Sequence, residues 1–132
     1  MKNLILDSHA LLTYFEDERG AEKVQSLLEQ AEKGKVAIFM SIVNWGEVYY
    51  SLRRTKGAER AEESLLVIEQ LPISFVEVDK DVMYKVAQLK AHHPIALGDC
   101  FAAALAVEHR CPVMTGDREF EKLGKLVTVE WL

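Results

Sequence analysis

Leu4-Ile5-Leu6 is a short apolar run without polar alternation, the pattern of a strand covered on both faces, and Asp7 ends it. Val24, Leu27, Leu28 and Ala31 recur at helical spacing, and the stretch that starts at Ala21 closes at Gly34, which predicts an amphipathic helix. Val36-Ala37-Ile38-Phe39-Met40 is a second apolar run. Ser41 follows as a natural N-cap for a helix carrying Trp45, Val48, Tyr49 and Leu52 at positions i, i+3, i+4 and i+7. After Gly57, the residues Ala58, Ala61, Leu65 and Ile68 mark another helix, which must end near Leu71 because Pro72 disfavours helical geometry in the residue before it. A strand is predicted over residues 73–78. Asp79 then caps a helix with Val82, Met83, Val86, Ala87 and Leu89 as its apolar positions and His92-His93-Pro94 as its break. From Asp99 the run Cys-Phe-Ala-Ala-Ala-Leu-Ala-Val is apolar all round, which marks a helix buried on most faces. Residues 112–115 read as a short strand, 117–123 as one or two helical turns, and 127–129 as a final strand with weak alternation.

Strands alternating with helices predict an α/β domain whose parallel sheet is covered on both faces. No linker, repeat or low-complexity segment divides the chain, so residues 1–132 read as one domain. Composition agrees: 49% hydrophobic and 28% charged residues describe an ordinary globular protein. The longest apolar run, residues 100–107, is far short of the ~18 residues needed to span a bilayer. The amino-terminal apolar stretch meets Asp7 too soon for a secretory signal, which places the expected location in the cytoplasm. Cys100 and Cys111 lack the number and spacing of a disulfide framework, a zinc knuckle or a redox pair, and read as small core hydrophobes. A formal charge of −5 argues against sequence-independent binding of a phosphate backbone by bulk electrostatics, so a nucleic-acid role requires a local basic patch or bound cations.

In parallel sheets ligands bind beyond the carboxyl ends of the strands, near the point where strand order reverses. Asp7 directly follows the first strand, Ser41 and Glu47 lie on the element leaving the second, and Asp117 lies two residues beyond Thr115. Asp99 opens the most apolar helix, where an unpaired acid is costly unless it faces solvent, a cation or free backbone donors. Taken singly, each acid has an ordinary reading as a turn residue, a cap or a solvated side chain. Their joint placement carries the case. Carboxylates gathered in one cleft raise one another's pKa unless a counter-charge is present, and oxygen-only ligands suit Mg²⁺ or Mn²⁺. Two such ions ~3.5–4 Å apart generate an attacking hydroxide and stabilise the leaving oxygen in phosphodiester cleavage. Two bound divalent ions would also bring the net charge from −5 to −1, at the place where a phosphate must sit.

Leu4-Ile5-Leu6-Asp7-Ser8, Ser41 with Glu47, Leu97-Gly98-Asp99-Cys100-Phe101-Ala102-Ala103-Ala104, and Thr115-Gly116-Asp117-Arg118-Glu119-Phe120 together resemble the PIN domain, especially its VapC-type toxin ribonucleases. The resemblance runs in order from residue 4 to about 129, and its Thr-x-Asp-x-x-Phe segment is the most specific part. It implies a three-layer α/β/α sandwich with a five-stranded, mostly parallel sheet. The implied activity is endoribonucleolytic cleavage with one or two Mg²⁺ or Mn²⁺ ions, restrained by a VapB-type antitoxin. Asp7, Glu47, Asp99 and Asp117 correspond to the acidic quartet, with Asp7, Asp99 and Asp117 as metal ligands and Glu47 as a ligand or orienter of water. Ser8 and Thr115 would support them, and Asn44 shares a helix face with Glu47. Cys100-Phe101-Ala102 departs from the usual Ala, large apolar residue and Ile after the third acid, a difference of packing.

His9 lies near Asp7 without any partner spacing, and local packing is its simpler reading. Arg53, Arg54 and Lys56 form the densest basic cluster and Arg118 adjoins Asp117, which makes Arg53, Arg54 and Arg118 candidate phosphate contacts beside the reading as solvated helix ends. Tyr14, Phe15, Trp45, Tyr49 and Tyr50 are core residues or a surface for an antitoxin segment or a second subunit of a homodimer. Two other functions compete. A haloacid-dehalogenase-like phosphatase also begins with a strand ending in Asp, but needs an acid two residues on, where His9 stands. A catalytically silent module would keep the fold and bind RNA or protein without cutting.

Overall fold

The computed structural model describes residues 2–132; Met1 lies outside them. The chain runs β1 (Lys2–Leu6), α1 (Ser8–Phe15), α2 (Ala21–Glu32), β2 (Val36–Ser41), α3 (Ile42–Lys56), α4 (Ala58–Glu69), β3 (Ile73–Val76), α5 (Lys80–His92), α6 (Leu97–His109), β4 (Val113–Thr115), a 3-10 helical segment (Arg118–Leu126) and β5 (Val129–Trp131).

All five strands join one parallel sheet in the order β3-β2-β1-β4-β5. Strand β1 is central, which is why Leu4, Ile5 and Leu6 are all fully buried and show no polar alternation. Their side chains still divide by face. Leu4 and Leu6 join Ile38, Met40 and Met114 in a core closed by α1 to α4, whereas Ile5 joins Val113 in a second core closed by α5, α6 and the 3-10 segment. The result is the expected α/β/α sandwich.

The chain first steps outward from β1 to β2 to β3, then returns past β1 to place β4 on the other side. Parallel crossovers keep one hand, so reversing the direction moves the connecting helices to the other face. The reversal makes the β1/β4 boundary the switch point, with Asp7 and Asp117 just beyond the two strands. Gly57, at φ 93°, joins α3 directly to α4 in a backbone conformation that other residues rarely adopt.

Several predicted boundaries move, among them that of the 3-10 segment, which runs to Leu126 rather than stopping at 123. The final strand is β5 at Val129–Trp131 rather than 127–129: Val127 is buried in the second core but precedes the ladder, in which Val129 pairs with Val113. The third strand stops at Val76, so Glu77 and Val78 lead into α5 unpaired. Helix α6 opens at Leu97, which puts Asp99 inside its first turn. Among the described residues no helix is long and apolar enough to cross a membrane.

Candidate functional site

The first acid is set by the end of β1. Asp7 is 1% exposed, and its Oδ1 accepts the Ala10 N–H at 2.9 Å as the N-cap of α1. Cap and site residue are therefore the same side chain. Burial pushes its carboxyl from 3.8 up to about 7; the Thr115 hydroxyl and the Ala10 N–H pull it down, and Asp99 and Asp117 push it further up. Thr115, wholly buried at the end of β4, also accepts the Asp117 N–H at 2.9 Å. That hydroxyl thus ties β4's exit to the residue that follows β1.

Asp117 caps the 3-10 segment, its Oδ1 accepting the Glu119 N–H at 2.9 Å. Asp99 comes from the opposite direction, in the first turn of a helix whose N-cap, Ala96, supplies no side-chain acceptor. Desolvation, then the charges of Asp117 and Glu47, push its carboxyl up to about 7. Glu119, which the sequence reading passed over, adds to that push.

Glu47 is fixed from three sides. Its Oε1 accepts the Asn44 amide at 2.7 Å and the Ser8 hydroxyl at 3.1 Å. The amide of Asn44, a residue 1% exposed, also donates to the Gly98 carbonyl at 3.1 Å, which links α3 to the start of α6. A Cβ at Gly98 would overlap the Glu47 carboxylate, with Oε1 and Cδ at 2.6 Å. Gly98 is helical and has no positive φ, so its missing side chain serves the fit of Glu47 and not the backbone. The Asn44 Oδ1 is buried without a partner.

The structure thus brings Asp7, Ser8, Asn44, Glu47, Asp99, Thr115 and Asp117 together and leaves the arginines apart. Arg53 and Arg54 lie six and seven residues beyond Glu47 on α3, about 9 and 10.5 Å along the axis at ~1.5 Å per residue. Arg53 donates to the Tyr49 hydroxyl at 2.9 Å, and Arg54 lies over the Tyr50 ring at 5.7 Å. The Arg118 guanidinium sits over Trp131 at 4.4 Å and pairs with Glu121 at 3.0 Å. Of the five aromatics, Tyr14, Phe15, Trp45 and Tyr49 pack against the first core, and only Tyr50 is exposed. A cavity of about 540 Å³ beside Leu89, His93 and Val107 contains none of the acids.

The donor set fits a hard divalent cation: every candidate ligand is a carboxylate, and two of them hold their protons near neutrality. Among the described residues no Lys or Arg forms an ion pair with any of the four acids. Among the same residues no three such side chains close around one point as they stand.

The sequence profile of the PIN domain family matches residues 4–126. The chain belongs to the PIN domain family. Its PIN fold recurs in solved structures of low identity. DNA-bound VapBC from Salmonella typhimurium matches with a TM-score of 0.76 at 17% identity, covering 99% of this chain and 98% of that one. VapBC2 from Rickettsia felis, bound to a promoter DNA fragment, matches at 0.74 and 13% identity over 98% of each chain. Mycobacterium tuberculosis VapC20, a toxin that cleaves the sarcin-ricin loop, matches at 0.74 and 13% identity, covering 92% of this PIN domain and 95% of that chain. No curated protein sequence matches the chain significantly.

Proposed function

We propose that this PIN domain is a Mg²⁺- or Mn²⁺-dependent endoribonuclease, the toxin of a VapBC-type pair. The observation that carries the reading is the meeting of four acids from separate segments at the β1/β4 switch point, two of them poised near pH 7 by burial and by one another. Family membership and the VapC-like fold support it.

In this reading Asp7, Asp99 and Asp117 hold one or two ions. Bound Mg²⁺ or Mn²⁺ supplies the counter-charge that lets these carboxylates and a phosphate share one cleft, and it acidifies water there. Glu47 Oε2, which neither Ser8 nor Asn44 engages, orients the attacking water by accepting its hydrogen bond. Thr115 and Asn44 hold the acids in place and take no part in the bond change. A silent binding module would not need Glu47 clamped so closely, and a phosphatase of the dehalogenase type lacks its acid at His9. A VapB-type antitoxin is the expected restraint in the cell, and a homodimer the expected form in solution, to be read by light scattering.

The test is cleavage of total cellular RNA by antitoxin-free protein in Mn²⁺ or Mg²⁺, with all new ends mapped. Ends that vanish with chelator and in Asp99→Asn support the ribonuclease. Intact RNA beside folded protein that binds it points to the silent module.

A further inference from the structure

The residue that the acid cluster does not use is His9. It lies in the first turn of α1, two positions after Asp7, and is exposed at the same sheet edge. Its ring rests on the loop leaving β4: a Cβ built on Gly116 would stand 2.5 Å from its Cε1 and 3.0 Å from its Nδ1. Gly116 has no positive φ, so its backbone does not require glycine. By contrast, Gly34, Gly57 and Gly124 have positive φ, and a Cβ there meets nothing within 4 Å. Gly116 therefore makes room for the imidazole, between Thr115 and Asp117, and seats it at the rim shared by Asp7 and Asp117.

The seat leaves the ring free to act. None of the side-chain hydrogen bonds near it, those of Ser8, Ala10 and Asp117, involves His9. The ionisable groups gathered at this edge, Asp7, Glu47, Asp99 and Asp117, are acids, and the nearby Arg118 is occupied by Trp131 and Glu121. A single-stranded substrate whose phosphate sits among the acids leaves its neighbouring nucleotide at this rim, and unstacked bases are held by stacking on aromatic or imidazole rings.

We propose that His9, seated on Gly116, is a nucleobase platform that stacks against the base next to the cleaved phosphate and contributes to the choice of cleavage site. The inference rests on the ribonuclease reading. Gly116 is a positioning residue that acts through His9.

The test uses a short single-stranded RNA that the wild-type protein cuts. His9→Ala raises KM roughly tenfold, the order expected for loss of one stacked base, and leaves kcat within about twofold. His9→Phe restores KM, and His9→Asn does not. Gly116→Ala reproduces the His9→Ala effect, and the double variant is no worse than either single one, because the two changes remove the same contact. Unchanged KM in His9→Ala, rescue by Asn but not Phe, or a fall in kcat alone each overturns the platform. A wild-type protein that cuts no RNA contradicts the ribonuclease reading instead. Fluorescence anisotropy with a labelled single-stranded RNA of mixed sequence then decides the His9 contact by itself, equal affinity of wild type and His9→Ala overturning it.

Discussion

Asp7 illustrates how one residue carries two assignments that compete in the sequence. The extended backbone after β1 makes it a cap, and the switch point makes it a candidate site acid. Its proton balance gives a signed prediction. The folded carboxyl keeps its proton up to about pH 7, whereas the unfolded one releases it near 3.8, so the folded state binds more protons between these values. Its contribution to stability is therefore full below pH 4 and is lost as pH rises to 7. In divalent-free buffer, the Asp7→Asn variant, which removes that charge, has a Tm about 3–8 °C above wild type at pH 7.5 and a smaller advantage at pH 5, as calorimetric scans will read. The same variant loses RNA cleavage by at least a hundredfold. Gly98→Ala sets helix propensity against contact: Ala favours the helix by ~1 kcal/mol but displaces Glu47. Cleavage falls about tenfold or more while thermal stability drops, and combining it with Glu47→Ala recovers the stability, which urea titrations of both variants measure.

At the scale of elements, the placement of three acids was legible because Asp7 and Asp117 follow recognisable strands and Asp99 opens a recognisable helix, whereas Glu47 lies within α3. Asp7 after Leu6 and Asp117 after Thr115 need only local pattern and the rule for parallel sheets. Gly98 and Gly116 were not legible, because the side chains that fill their missing Cβ positions come from Glu47 and His9, far away in sequence. The last strand was misplaced for a related reason. Val127 and Val129 both serve the second core, and hydrophobicity alone does not say which of them enters the ladder beside Val113. The all-apolar run in α6 was read correctly as a buried helix, and it fixes Asp99 by packing. Leu105, 1% exposed in that helix, marks the element for test: Leu105→Ala costs about 2–5 kcal/mol by denaturant titration, yet the folded fraction keeps its cleavage rate, since the first turn of α6 stays in place.

For the whole molecule, a sheet that places four acids at one edge makes stability and cation binding one quantity. In the proposed reading divalent ions bind the ionised folded form and not the unfolded chain, and the expected outcome is that Mn²⁺ or Mg²⁺ raises Tm, more at pH 8 than at pH 5, where protons compete for Asp7 and Asp99. A pH-independent increment would separate the ions from these acids. Under that proposal the overall charge of −5 is no obstacle to an RNA substrate, because the counter-charge of the bound ions would sit at the reacting phosphate. The most direct measurement of the central claim is a calorimetric Mn²⁺ titration of wild type, Asp99→Asn and Asp117→Asn, each also assayed on RNA. Saturable binding in wild type, weakened at least tenfold in both variants together with loss of cleavage, is the predicted result. Equal Mn²⁺ affinity in all three proteins, or cleavage that persists in chelator, would contradict it.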